Sequence, residues 1–293
     1  MVTERDASEL HDAKKRRRRA VEAACAVAGS LGIACSSPRI MKDSNNTIVH
    51  LAPAAVVAKV GTSSIRRGMP HPLERELSIA QHLARHRAPI APPASSVPPG
   101  PHRQRSTMLT LWEFRHHVPS RRADPSMLAT ALQELHRALA DYPGELPPFT
   151  AHVEEAGNVL SDPSRTPDLN GADRSFLQAV QRTALALVRD LDSPTQPLHG
   201  EPHLDGNCLL TAEGPVFVDL EASCTGPKEW DLTSLPKEVA ARFGSVDHEL
   251  LASLTLVRSL CVAAWCWKQP QRAPEVAEAA HYHLSFLRQA LAS

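Results

Sequence analysis

No two cysteines in this chain stand at CxxC spacing, and the six present (Cys25, Cys35, Cys208, Cys224, Cys261 and Cys266) follow no metal-ligand pattern. A thiolate zinc site is therefore not expected, and the cysteines read as reduced thiols of a cytoplasmic protein. Net charge is also missing. The 32 lysines and arginines face 32 aspartates and glutamates, which argues against nucleic-acid binding by bulk charge. No stretch approaches the roughly 20 consecutive apolar residues of a membrane span, so no membrane partner is expected. The sequence AVEAACAVAGSLGIAC after the basic run superficially resembles a leader, but Glu22 interrupts it and it is mostly Ala and Gly rather than Leu. It is expected to belong to an amphipathic helix over residues 13–31 with a solvated basic start. GxGxxG and Walker sequences are absent, as is any internal repeat.

What is present is an ordinary globular composition. The 293 residues are 42% hydrophobic and 22% charged, enough for one large domain or two lobes. Charge is unevenly spread: residues 14–19 are all Lys or Arg, whereas 141–173 are mostly acidic. After the first helix, short β-branched runs at 47–51 and 55–60 predict two strands, with Lys59 near the end of the second. Leu73, Leu77, Ala80 and Leu83 recur at helical spacing after Pro72, which predicts a helix over 72–87. Residues 88–105 are rich in Pro and Ser and read as an irregular connection, followed by a strand at 107–114. From Pro125 onward the period is helical, with a break at 142–148, a long helix at 176–191 and two more at 246–267 and 273–291.

The most informative stretch is LHGEPHLDGNCLLTAEGPVFVDLEASCTGPKEWDL, residues 198–232. Apolar runs at 208–211 and 215–220 flank the turn Ala212-Glu213-Gly214 and read as a β-hairpin. The hairpin would bring Asn207 and Asp219 together, and an amide oxygen beside carboxylates suits a hard cation such as Mg²⁺. His199 and His203 form an HxxxH pair. Pro202 between them argues against the helix that a zinc site of this kind needs.

These residues resemble the aminoglycoside phosphotransferase family, whose members share the bilobal protein-kinase-like fold. The family's catalytic loop, H-G-D-x-x-x-x-N, is matched by His199-Gly200-Glu201-Pro202-His203-Leu204-Asp205-Gly206-Asn207. Its metal-binding Asp is matched by Asp219, and its W-D by Trp230-Asp231. Lys59 in VVAKV matches the phosphate-binding lysine, and Glu76 its helix partner, with Glu74 as the fallback.

The resemblance implies an α+β fold with an N-terminal helical extension (1–38), a small β-rich nucleotide-binding lobe (39–114) and a larger helical lobe (115–293). It implies ATP or GTP as co-substrate, Mg²⁺ held by Asn207 and Asp219, and transfer of the γ-phosphate to a hydroxyl of a small molecule. The turn 43–47, with Asn45 among its residues, would cover the phosphates, and Asp231 would stabilise the catalytic loop. Two departures stand out. The expected Asp is Glu201, and six steps rather than five separate it from Asn207. Glu201 is the expected base and Asp205 its competitor, and a catalytically impaired, kinase-like binding protein is the alternative. The acidic residues between 141 and 173 lie where a loop for a polycationic aminoglycoside would be expected, while other antibiotics, amino alcohols and sugars stay open. A monomer or dimer is expected.

Overall fold

The computed structural model of the chain describes residues 4–61, 72–118, 123–268 and 274–292. The chain divides into two compact units. One contains residues 1–123, 137–142 and 205–221, and the other contains 124–136, 143–204 and 222–293.

The first unit is built on a five-stranded antiparallel sheet of order β1-β2-β3-β5-β4. Its strands are β1 (Arg39–Asp43), β2 (Asn46–His50), β3 (Val56–Gly61), β4 (His102–Gln104) and β5 (Thr107–Glu113), with helix α1 (Glu4–Ser30) before them and α2 (Pro72–Arg85) between β3 and β4. Side chains alternate across each strand. Val49, Ala58, Val60, Leu109 and Leu111 therefore share one face, where they form a core with Ala20, Ala23, Ala24, Val27 and Ala28 of α1. The small residues of α1 let the helix lie close to the sheet, so the first helix forms a layer of this unit. The opposite face carries Ile48, Val57, Lys59 and Trp112, all of which line a cavity. Strands β1 and β4 were not expected from the sequence. Arg39–Asp43 is largely polar, and β4 is three residues long inside a Pro-rich connection.

The expected hairpin forms as β7 (Cys208–Thr211) and β8 (Gly214–Phe217), and it packs within the first unit. Phe217 N–H donates to Pro89 O, and Ala91 N–H to Phe217 O. The preceding strand β6 (Gln196–Leu198) pairs instead with β9 (Cys224–Gly226) in the second unit.

Otherwise the second unit is helical: α3 (Pro125–Leu139), most of which belongs here, α4 (Thr150–Ser161), α5 (Gly171–Arg189), α6 (Glu229–Leu232), α7 (Lys237–Ala240), α8 (His248–Cys266) and α9 (Pro274–Ala292). Val153, Leu160, Leu177, Leu254, Leu260 and Leu287 are fully buried together, each contributing about 2 kcal/mol of transfer free energy. Contrary to the expectation that no segment would be long enough, α8 is long and apolar enough by composition to cross a membrane. Here it is the core helix of this unit, capped by the Asp247 carboxylate on Glu249 and Leu250 N–H. The acidic stretch is also different from the expected substrate loop. It folds into α4 and the start of α5, and three of its acids meet arginines of the same unit: Glu155 with Arg165, Glu154 with Arg189 and Asp173 with Arg288.

Candidate active site

Lys59 is the fourth residue of β3, and the pleat points it away from α1 into the cavity face. Its side chain is only 6% exposed, yet three carboxylates reach its ammonium: Glu76 at 2.8 Å, Asp219 at 2.7 Å and Glu221 at 2.6 Å. Burial alone would depress its pKa, but Glu76, then Asp219 and Glu221, outweigh that and hold it above the ordinary lysine value. Glu76 arrives from the first turns of α2. Glu74 is partly exposed and lies 3.7 Å from Arg103, so the helix directs Glu76 to the lysine. Glu76 Oε1 also accepts Leu220 N–H at 3.1 Å, while its buried Oε2 has no hydrogen-bond partner. Burial, together with the two neighbouring carboxylates, pushes the Glu76 carboxyl above the usual carboxylate range despite the pull of Lys59.

Asp219 follows β8 with φ of 65°, a left-handed backbone that a non-glycine residue adopts only where its surroundings impose it. That twist sends Asp219 and Glu221 to the same ammonium. The carboxylate oxygens of Glu76, Asp219 and Glu221 all lie within 4.8 Å of one another, close enough to share a cation. Among the described residues, three carboxylates share this one ammonium. Two of the groups are half-buried and one fully buried, an all-oxygen arrangement that suits a hard cation. Glu221, which reaches Lys59 at 2.6 Å, was not among the site residues expected from the sequence. The signal was its place two residues after Asp219.

The cavity has a volume of about 480 Å³ and is lined on the sheet side by Ile48, Val57 and Trp112 and on the hairpin side by Leu209 and Phe217. Its polar end carries Lys59, Glu76, Asp219, Ser44 and Asn46, and its rim includes Asp205. Phe114 lines it too, with its ring stacked on His50 at 4.0 Å. The turn between β1 and β2 supplies Asn46, whose amide donates to Glu221, whereas Asn45 is exposed at the tip and does not line the cavity. Asn207 is buried just before β7, and its carbonyl accepts Val218 N–H at 2.9 Å.

In the second unit the residues around Glu201 form a fixed loop. Asp231 is fully buried and accepts His199 N–H at 2.9 Å, Gly200 N–H at 2.8 Å and His136 Nε2–H at 2.7 Å. Burial would raise its pKa, but these donors, His136 first, hold it below the ordinary value. Gly200 has φ of 90°, and a Cβ there would meet Ala222 O at 1.9 Å, so only glycine fits. Its carbonyl accepts Arg258 Nη2 at 2.6 Å, and the Arg258 guanidinium lies 3.6 Å from the Trp230 ring centroid. His199 Nδ1 accepts Glu201 N–H at 3.2 Å. His199 thus organises the loop and does not sit on a helix with His203, as Pro202 implied. Glu201 itself is half-buried.

Residues 52–282 match the model of the phosphotransferase enzyme family. No curated protein sequence matches the chain significantly. Among solved structures, a choline/ethanolamine kinase family protein from Mesorhizobium loti aligns at 14% identity and TM-score 0.64, over 89% of this chain and 90% of its own. The amicoumacin kinase hAmiN, in complex with AMP-PNP, Ca²⁺ and Ami, aligns at 10% identity and TM-score 0.65, over 86% and 88%. Wild-type aminoglycoside 2'-phosphotransferase-IIIa in its GDP complex aligns at 13% identity and TM-score 0.64, over 91% and 98%. At such identities the likeness establishes the fold, which is protein-kinase-like.

Proposed function

Since the chain belongs to the phosphotransferase enzyme family, we propose that it transfers the γ-phosphate of a purine nucleotide to a hydroxyl group of a small molecule. The observation that carries this reading is the buried Lys59 ammonium, contacted by three carboxylates, at one end of a cavity walled by Ile48, Val57, Trp112, Leu209 and Phe217. The apolar walls suit a purine ring, and Lys59 suits the phosphates. Glu76 keeps Lys59 charged and in place. The donor set fits a hard divalent cation: it is all oxygen, it carries excess negative charge, and the buried Glu76 Oε2 has no hydrogen-bond partner. Asp219, with Asn207 and the newly found Glu221, would hold Mg²⁺, which supplies charge neutralisation to the phosphate oxygens when bound.

Glu201 takes the proton of the acceptor hydroxyl as its oxygen forms a bond to phosphorus and the bond to the nucleoside diphosphate breaks. Its backbone is suited to that role, because the two residues before it, His199 and Gly200, are fixed by Asp231, and its own N–H donates to His199 Nδ1. Asp205 is the second reading for the base, favoured by its place on the cavity rim. As for the acceptor, the pairing of Glu154 and Glu155 with arginines weakens the acidic stretch as an argument for a polycation. Relatives of the same fold are named as amino-alcohol and antibiotic kinases, so both classes belong in the screen.

The test is a turnover screen of amino alcohols, sugars and antibiotics with Mg²⁺ and ATP or GTP, repeated with Glu201→Gln and Asp205→Asn. Phosphorylation of any acceptor, lost in Glu201→Gln and kept in Asp205→Asn, is expected. Nucleotide binding without turnover across the whole panel would instead support a binding protein.

A further inference from the structure

The basic run of α1 precedes the segment matched by the family model, which begins at residue 52, and so do β1 and β2. The run was expected to be solvated, yet two of its arginines converge on one carboxylate. Arg16 reaches Asp43 with both edges of its fork, Nε to Oδ1 at 3.3 Å and Nη2 to Oδ2 at 2.7 Å, and Arg17 Nε donates to Oδ2 at 2.9 Å. Thr47 Oγ1 adds a fourth contact, to Oδ1 at 2.8 Å. Exposed ion pairs contribute little, but the Asp43 side chain is only 4% exposed and its partner is a planar fork.

Asp43 is the last residue of β1 and pairs across the sheet with Thr47 of β2. The clamp therefore sits at the base of the three-residue turn 44–46, holding both of its ends to α1. Within the turn, Ser44 N–H donates to Asn46 O at 3.0 Å, and Asn46 donates to Glu221, which contacts Lys59 at 2.6 Å. A continuous chain of contacts thus runs from α1 to the lysine. Ser44 and Asn46 both line the polar end of the cavity.

We propose that α1 is a positioning element for the nucleotide: Arg16 and Arg17, acting through Asp43, hold the turn 44–46 in the conformation that receives the phosphates. This rests on the nucleotide reading above. It assigns a role in the phosphotransferase to a helix outside the matched segment. Burial would raise the Asp43 pKa, but the two arginines and Thr47 hold it down at about 2, so the clamp stays charged throughout any ordinary assay.

The experiment uses the full chain with Arg16→Gln/Arg17→Gln, Asp43→Asn and Thr47→Val. Arg18→Gln serves as the control, because Arg18 only pairs with Glu22 at 3.5 Å on the exposed side of the helix. Calorimetry with Mg²⁺ and AMP-PNP, and hydrogen exchange of residues 43–47 without nucleotide, are measured on each. Loss of the fork is expected to weaken AMP-PNP binding about tenfold, to speed exchange in the turn, and to raise nucleotide KM at unchanged kcat. Asp43→Asn added to the double variant should cost little more, and Arg16→Lys/Arg17→Lys should restore part of the affinity. Thr47→Val leaves the arginines in place and keeps the test alive if the double variant does not fold. Unchanged affinity and unchanged exchange in both clamp variants, with the wild type binding AMP-PNP, overturns the proposal alone. A wild type that binds no nucleotide overturns the functional reading and this proposal together, and the exchange data then still show whether α1 orders the turn.

Discussion

Around Lys59 three carboxylates share one ammonium and Glu76 Oε2 lacks a hydrogen-bond partner, whereas Asp231 receives three hydrogen bonds on two oxygens with every donor from its own unit. Both clusters are buried carboxylate sites, but among the described residues only the second has a donor for each oxygen. A buried charge that lacks compensation is costly, so the first arrangement persists only where something else supplies positive charge. The lesson is that an imbalance of charge, rather than burial or pKa shift alone, separates a site awaiting a ligand from a scaffold. Asp231 has a lowered pKa and is nevertheless a strut.

The comparison is sharpest if removing a carboxylate has opposite consequences in the two places. Asp219→Ala removes one of the three carboxylates crowded around Lys59, so its melting temperature without ligands is expected to equal or exceed that of the wild type. Its Mg²⁺-dependent phosphotransfer should fall by about 10³-fold or more, as for loss of a group that stabilises developing charge. A variant that loses activity and also melts early would mean the cluster is structural, and the contrast would collapse.

Asp231→Ala should act the other way round. It strips three donors of their acceptor in a dry interior, at an expected cost of about 3 kcal/mol. For a chain of this size that is a drop in melting temperature of about 5 °C. Thermal unfolding followed by circular dichroism reads this directly. Phosphotransfer should decline with it, because His199 and Gly200 lose their anchor. Asp231→Asn is expected to recover part of the stability by keeping one acceptor oxygen, which a purely electrostatic account would not predict.

Much of both clusters was legible in the sequence. Lys59 sits in a β-branched run and Glu76 on a helix with clear periodicity, but local pattern left open which way each side chain turns, and the family resemblance selected both, with Glu74 as the fallback. The hairpin 208–217 was marked by its turn, and the H-G-x loop by its neighbours. What escaped was set by tertiary pairing between residues far apart. Glu221 joins the cluster only because Asp219 adopts a left-handed backbone, which nothing in VFVDLEA announces. Asn46 rather than Asn45 faces the cavity because β2 begins there and the pleat decides which side chain turns inward. Helix α4 lay hidden between prolines in a stretch dominated by its acids, and those acids turned out to have arginine partners 10 to 115 positions away. Asp43 looked like an ordinary turn residue until α1 brought Arg16 and Arg17 beside it.

Asp43 offers the smallest and most specific test, since it is a balanced carboxylate in the same unit as the unbalanced cluster. Its folded pKa of about 2 lies below its ordinary value of 3.8. A depressed carboxylate contributes stability that is present above the unfolded value and is lost as pH falls through the folded one. The difference between wild type and Asp43→Asn should therefore be full at pH 6, at most about 2 kcal/mol from the size of the shift. It should shrink between pH 4 and pH 2, as followed by urea unfolding at several pH values. Because Arg17 is half exposed, added salt should also narrow the gap at pH 6. If the gap instead widens on acidification, Asp43 is not held ionised by the arginines, and balance of charge would not be what distinguishes it from the carboxylates around Lys59.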